Sequence, residues 1–461
     1  MMARDNRIQM FPCEWRASMT LSGVYALRMM GMFLVLPVLA LYAATLPGPE
    51  NNKTLIGLAM GIYGLTQALL QLPMGMASDK FGRKKVIYIG LTIFAAGSFM
   101  AAVADSLTML VVARALQGAG AVSAAVTALL ADLTRDEVRT RAMAMIGLSI
   151  GLTFSVSLVL APMMAAWIGV QGLFALTGVL TVISISVVAW MTPNPEQSRV
   201  HDDAQARPGQ MAEVLKNRQL LSLDFGIFAL HAAQMALFTT LPFAMETLGL
   251  LKTQHWKVYL PATVIGLVLM VPLIIVGETR NKLKQVFIFG IACIASAQIA
   301  LMFGLNSIWL ITAFMTIYFI GFNVLEASLP SMVSKIAPSD LKGTAMGVYN
   351  TMQSIGLFAG GTIGGVLFQY YGFNGVFAFC SALMLVWLLI AWTSPAPKPV
   401  KNIAYTVQPQ WQGRTDALYC VLTGLSGVEA VTFSQDKQTV YIKALQKGFD
   451  PSAAEKIISG D

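Results

Sequence analysis

One acid alone lies well inside the tenth apolar segment: Glu326, in Phe322-Asn323-Val-Leu-Glu326-Ala-Ser328. Burial in hydrocarbon favours the neutral form of a carboxyl group, which suits a side chain that loads and releases a proton. His231, Gln234 and Arg28 are the other polar side chains expected at the same depth, and Asn323 lies one helical turn from Glu326. A permanent ion pair between Glu326 and Arg28 is the structural alternative, and His231 alone reads equally as a hydrogen-bonded interior histidine. Arg114, in Arg114-Ala-Leu-Gln117-Gly118-Ala-Gly120, is costly in an apolar helix unless it meets a polar cavity or an acid, so it either supports a proton relay or snorkels to the nearby periplasmic surface. If Glu326 does not carry the proton, Asp224 or Asp132 is next in line.

Such residues need apolar helices to hold them. The chain is 56% hydrophobic and 12% charged, with mean hydropathy +0.66, whereas a soluble domain carries about a quarter charged residues. Twelve apolar segments, centred near residues 32, 66, 95, 120, 152, 181, 233, 267, 294, 320, 354 and 382, are each long enough to cross a bilayer. Loops with Lys80, Arg83, Lys84 and Lys85, with Arg135, Arg139 and Arg141, with Arg199, Arg207, Lys216 and Arg218, with Arg280, Lys282 and Lys284, and with Lys335 and Lys342 alternate with loops holding only Lys53, Lys252 and Lys257. The positive-inside rule therefore places the basic loops and both termini in the cytoplasm. Topology accounts for the net charge of +8, so it argues for no nucleic-acid partner. The segment before the first apolar helix carries Arg4, Arg7 and Arg16 and is not followed by a small-residue cleavage site, so a removable signal peptide is not expected. Cys13, Cys293, Cys380 and Cys420 are scattered and suggest neither metal nor redox chemistry. The sequence has no G-x-x-x-x-G-K-[ST] loop for ATP, and it calls for no cofactor and no enzymatic reaction.

Between the second and third segments stands Gly75-Met-Ala-Ser-Asp79-Lys80-Phe-Gly82-Arg83-Lys84-Lys85. It resembles the signature loop of the major facilitator superfamily, G-x-x-x-D-[RK]-x-G-R-[RK]-[RK], at every fixed position. The resemblance implies a conformational latch made by Gly75, Asp79, Gly82, Arg83 and Asp132. In that latch Asp79 points at the start of the eleventh helix near Leu341 to Thr344, where the helix dipole favours an anion. Arg83 bridges to Asp132 at the end of the fourth helix, and Gly75 and Gly82 allow close backbone approach. The Arg114 stretch resembles the second motif of the same superfamily. The fifth helix departs from the pattern of its drug:proton antiporters: a Gly-Pro pair with further glycines is replaced by Ala161-Pro162-Met163-Met164-Ala165-Ala166, with Pro162 still able to kink the helix.

An internal repeat supports two parallel halves. Trp167-Ile-Gly169-Val-Gln171-Gly172-Leu-Phe174 recurs as Tyr370-Tyr-Gly372-Phe-Asn374-Gly375-Val-Phe377 about 200 residues later. The expected organisation is a six-helix bundle over 1–192, a polar cytoplasmic linker over 193–214 with His201, Asp202 and Asp203, a second six-helix bundle over 215–394, and a small domain over 400–461. The small domain alternates as strands over 403–407, 428–433 and 439–444, with a turn at Gln435 to Lys437 and helical spacing over 412–425 and 451–458. That order, β-α-β-β-α, is ferredoxin-like with the last strand short or absent. Gln410-Trp411-Gln412-Gly413 lacks the paired cysteines of heavy-metal-associated domains, so thiolate metal binding is not expected. A facilitator bundle with such a domain resembles the YajR family of inner-membrane transporters over nearly the whole chain.

The expectation is an all-α integral membrane protein of major facilitator fold with a small α+β ferredoxin-like cytoplasmic domain, seated in a bacterial inner membrane. The resemblance implies proton-coupled export of small amphipathic compounds. Its expected partners are protons, a small-molecule substrate, the lipid bilayer and a cytoplasmic ligand or partner of the terminal domain. Uptake of a sugar or organic anion and a transporter-like membrane sensor are the alternatives. Twenty-seven methionines suit either a pliable pocket or plain packing.

Overall fold

A computed structural model describes residues 10–48, 52–193, 209, 211–280, 282–338, 341–395, 400–411, 413–433, 439–445 and 448–459. Arg4 and Arg7, the linker acids Asp202 and Asp203 with His201, Gln412, and the turn at Gln435 to Lys437 lie outside the described residues.

Helices follow the apolar segments: α1 Pro12–Ala43, α2 Lys53–Phe81, α3 Arg83–Ala102, α4 Leu107–Ala119, α5 Ser123–Asp132, α6 Asp136–Trp190, a short α7 Met211–Lys216, α8 Arg218–Thr247, α9 Trp256–Thr279, α10 Leu283–Phe303, α11 Ile308–Ile336 and α12 Lys342–Thr393. Among the described residues ten helices, with α4 and α5 counted as one, are long and apolar enough to cross a bilayer. Two of these double back at a glycine, which makes twelve crossings. The reversals are Gly169 in α6 (φ 70°) and Gly372 in α12 (φ 63°). A side chain is strained at such positive φ, so glycine stands there. The pair occupies matching places in the repeat. Pro162 lies inside α6 without interrupting it; the break comes at Gly169 instead.

Starts of helices are set locally. The Asn52 side chain accepts from Leu55 N at 2.9 Å and opens α2, and Asn217 Oδ1 accepts from Gln219 N at 3.0 Å and opens α8. The described cations of the basic loops gather at one end of the helices, here called the basic end; Lys53, Lys252 and Lys257 mark the far end.

The two halves meet along α2 and α12. A Cβ on Gly57 would lie 2.3 Å from Gly361 O, and one on Gly365 would lie 2.7 Å from Lys53 O, so the backbones touch where side chains would not fit. Lys53 N donates to Gln369 Oε1 at 2.7 Å, and Lys53 Nζ sits 4.0 Å from the Phe368 ring centroid. All of these contacts lie in the far half. At mid-depth Phe154 of α6 meets Phe322 of α11 with centroids 5.6 Å apart. Toward the basic end, Gly23 of α1 and Gly147 and Gly151 of α6 have open space where a Cβ would go.

The terminal segment forms β1 Val400–Thr406, α13 Thr415–Thr423, β2 Val428–Phe433, β3 Thr439–Leu445 and α14 Pro451–Ser459. Its sheet has order β1-β3-β2 with both pairings antiparallel. Among the described residues this is the β-α-β-β-α order of a ferredoxin-like fold without its last strand. Leu418 and Leu422 of α13 pack on Val440 and Ile442 of β3 and Ala454 of α14, all fully buried. Lys443 Nζ donates to Ile336 O at 3.1 Å, which ties β3 to the last turn of α11.

Candidate functional site

In the second half, α8, α11 and α12 bring three polar side chains together at mid-depth. Gln353 Nε2 of α12 lies 2.8 Å from His231 Nε2 of α8, and His231 Nδ1 lies 3.2 Å from Ile227 O. The tautomer that satisfies both bonds carries its proton on Nδ1: the ring donates to Ile227 O, accepts from Gln353, and is neutral. Glu326 Oε2 of α11 stands 3.7 Å from His231 Nε2, beyond hydrogen-bond length, and has no hydrogen-bond partner among the described residues. Glu326 is two-sided: Oε2 is buried toward the histidine while the side chain as a whole is 36% exposed. The Phe322 ring lies 6.1 Å from the imidazole, centroid to centroid. Gln234 is buried one turn further along α8, and Asn323 is buried on α11 with an unpartnered Nδ2 beside Gly266 of α9. One unpartnered acceptor and one unpartnered donor a helical turn apart are expensive unless water or a ligand visits.

Arg28 is not among them. It is buried in the first half, where Nη1 donates to Ser123 Oγ at 3.2 Å and Nη2 donates to Tyr63 Oη at 3.0 Å and to Gly120 O at 3.3 Å. The alternative of a permanent pair with Glu326 is therefore overturned: both terminal nitrogens of Arg28 donate to neutral groups of its own half, and Glu326 faces His231. Arg114 does not snorkel either. It is buried, with Nη1 donating to Gln117 Oε1 at 2.8 Å, Nε donating to Ala59 O at 3.4 Å, and its guanidinium 5.2 Å from the Tyr63 ring centroid. Gln117 Nε2 passes the chain on to Ser98 Oγ at 2.8 Å. Tyr63 thus lies between two buried guanidinium groups.

At the basic end Arg83 Nε donates to Asp132 Oδ2 at 3.0 Å, with both side chains buried, and Arg83 Nη1 donates to Ser78 Oγ at 3.0 Å. Arg83 also pairs with Asp79. The contact expected from Asp79 to the start of α12 is not made here: among the described residues its carboxylate meets Arg83, and its side chain is 38% exposed. Gly82 corrects a second expectation. No atom lies within 4 Å of a Cβ built there, so its φ of 99° at the α2–α3 joint, and not close approach, asks for glycine. Gly75 does face a neighbour, with Ala124 Cβ 3.3 Å from its Cβ position.

Sequence reasoning missed Gln353, whose only signal was an amide inside the eleventh apolar segment, and it missed Glu14. Glu14 Oε2 accepts from Phe11 N at 2.7 Å and from Arg135 Nη2 at 3.0 Å, and Oε1 accepts from Arg135 Nε at 2.8 Å. This pair, a buried Glu14 and a partly exposed Arg135, staples the start of α1 to the loop between α5 and α6. Among the described residues no group of three or more His, Cys, Asp or Glu is placed to hold a metal ion.

Comparison with known proteins places this geometry in context. A profile described as Major Facilitator Superfamily matches residues 21–361 and 284–434. The chain is 40% identical over 438 residues to the inner membrane transport protein YajR of Escherichia coli (strain K12), covering 95% of this chain and 96% of that protein. It is 25% identical over 358 residues to the quinolone resistance protein NorA of Staphylococcus aureus (strain MRSA252), covering 74% and 87%. Among solved structures, a bacterial homolog of the human lysosomal transporter Spinster, in an inward-facing and occupied conformation, matches with TM-score 0.69 at 12% identity, over 83% of this chain and 97% of that one. That match speaks for the fold.

Proposed function

This chain belongs to the Major Facilitator Superfamily, and from that premise we propose that it is a proton-coupled secondary transporter of a bacterial inner membrane that exports small amphipathic compounds. It is a transporter and not an enzyme. The observation that carries the coupling is Glu326 facing His231 at 3.7 Å while Gln353 holds the imidazole neutral. When Glu326 takes a proton it becomes a donor. When it passes that proton to His231 Nε2, which it faces, the imidazole becomes a cation and the Gln353 amide turns so that its oxygen accepts from the ring. Either change alters the charge between α8, α11 and α12, on which the rocking of two halves about a central site depends. Inner-membrane seating and efflux draw support from the relatives named for inner membrane transport and quinolone resistance.

The basic end faces the cytoplasm in this reading, as the cation distribution favours. Tight packing of α2 on α12 in the far half, with open space at Gly23, Gly147 and Gly151, supports an inward-open state. In that state Asp79 is released from α12; in the outward-open state it docks at the start of α12 and the latch closes. A second reading, carriage of an organic anion, rests on Arg28, whose three partners are all uncharged.

The test is proton movement in liposomes that hold the purified chain and a trapped pH-sensitive dye, challenged with a panel of amphipathic cations and organic anions. Compound-dependent proton flux is expected in the wild type and lost in Glu326→Gln. Equal flux in the two proteins overturns the assignment of Glu326, and a response confined to organic anions selects the second reading.

A further inference from the structure

Lys53 is the one far-end cation among the described residues that reaches across to the other half. Lys252 and Lys257 are exposed, and Lys257 Nζ donates to Gln254 Oε1 of its own half at 3.3 Å. Lys53 instead holds α12 in three ways. Its backbone N–H, left without an intrahelical partner in the first turn of α2, donates to Gln369 Oε1 at 2.7 Å. Its carbonyl oxygen lies 2.7 Å from where a Cβ on Gly365 would stand. Its ammonium sits 4.0 Å from the Phe368 ring centroid, and that buried ring is packed against Phe243 of α8 at 5.4 Å and Phe373 at 5.1 Å. Among the described residues no acid pairs with Lys53, so the ring face is what its charge meets.

This grip heads a run of close backbone contacts in one antiparallel register. From the far end inward, Gly57 faces Gly361, Gly61 faces Phe358 and Gly64 faces Ser354, with a carbonyl oxygen 2.3, 2.7 and 2.4 Å from the respective Cβ positions. Past Gly64 the run stops, and Gly75, the next glycine of α2, faces Ala124 of its own half. Continued to the basic end, the same register would set Asp79 against the start of α12, because residues 53 and 79 are as far apart along α2 as residues 368 and 342 are along α12. Asp79 meets Arg83 instead. The two helices are therefore zipped at the end that carries Lys53 and splayed at the end that carries Asp79.

We propose that Lys53, with Gln369 and Phe368, is the far-side lock of this transporter: it holds the halves together while the basic end is open and lets go when Asp79 docks on α12. This rests on the reading of the present state as inward-open given above. The chemistry suits a contact that must open and close. Lys53 and Gln369 are both partly exposed, so on opening water replaces each partner and no buried group is left unpaired. A buried ion pair in the same place would break only at high cost, whereas one hydrogen bond and a cation on a ring face exchange readily with water. On this assignment α2 carries a polar hook at each end, and the two hooks hold opposite ends of one crossing of α12 in opposite states.

Distances between the halves of the full chain, measured with no compound and no pH gradient, test the lock. Spin labels at Thr45→Cys and Tyr371→Cys, exposed positions with one in each half, read the far-end gap by pulsed electron resonance in a chain whose four native cysteines are replaced by alanine. Lys53→Ala removes the ammonium and keeps the backbone N–H; Gln369→Leu removes the acceptor and keeps the bulk. Each should raise the ratio of the long to the short distance population about threefold, and the two together about tenfold. Lys53→Arg should keep the wild-type ratio, since a guanidinium also stacks on a ring face. An unchanged ratio in the double variant overturns the lock, and so does a Lys53→Arg ratio equal to that of Lys53→Ala. Failure of the inward-open reading is a separate event, seen as a wild type whose labels at the basic ends of α2 and α12 report a closed gap.

Discussion

Gln353 Nε2 stands 2.8 Å from His231 Nε2, the same nitrogen that Glu326 Oε2 faces at 3.7 Å, so a residue of α12 occupies the side of the α8 imidazole that meets the α11 acid. Replacing it with leucine keeps the bulk and removes the donor. His231 Nε2 then has no amide partner, and leaving a buried polar group unpaired costs about 1–3 kcal/mol. Gln353→Leu should melt at lower temperature in detergent and shift the pH at which compound-dependent proton flux is half-maximal. An unchanged pH profile would remove Gln353 from the coupling site and leave it a packing residue.

Arg83 holds two acids that differ in burial. Asp132 is fully buried against it, whereas Asp79 is 38% exposed. Arg83→Ala takes the cation from a buried carboxylate and should destabilise the protein by about 3–5 kcal/mol, seen as a large fall in thermal midpoint. Asp79→Asn removes a half-screened ion pair worth no more than about 1 kcal/mol, so the midpoint should hardly move. Transport should nevertheless fall in Asp79→Asn, because the outward-open state loses its anion at the start of α12. Wild-type flux in Asp79→Asn at matched protein content would sink the latch.

Gly57 and Gly361 bring the α2 and α12 backbones into contact in the far half. A Cβ on Gly57 would come within 2.3 Å of Gly361 O, a backbone atom that has no rotamer to turn away. Gly57→Val should therefore pry the far ends apart and favour the state closed at the basic end. Spin labels placed at the basic ends of α2 and α12 should report a shorter mean distance than in the wild type. A longer or equal distance would mean that the halves do not rock about this contact.

The terminal domain has its own core around Leu418, Val440 and Ile442, although a domain of about 60 residues is only marginally stable alone. The fragment from residue 400 onward should be soluble and give mixed helix and strand by circular dichroism, and Ile442→Ala should unfold it, at a cost of about 2–5 kcal/mol. Deleting the domain removes the Lys443 contact to Ile336 but none of the Glu326 site, so the helices should still insert and proton flux should persist. Loss of all flux from a truncated chain that inserts normally would make the domain part of the transport machinery.

Hydropathy and the cation pattern alone located the membrane crossings and divided the two ends, because crossing hydrocarbon demands long apolar helices whatever the fold. The repeat around Gly169 and Gly372 was likewise legible, since positive φ leaves few residue choices. Glu326 and His231 stood out by their cost in an apolar segment, and Arg83 with Asp132 by a motif. What each polar group meets was not legible. Helical periodicity states which residues share a face, but not which helix that face opposes. Only packing sent Arg28 to Ser123 and Tyr63, withheld it from Glu326, and turned Gln353 toward His231. Such partnerships join residues tens to hundreds of positions apart, so they are decided where the glycine-lined faces of α2, α8 and α12 allow the helices to close.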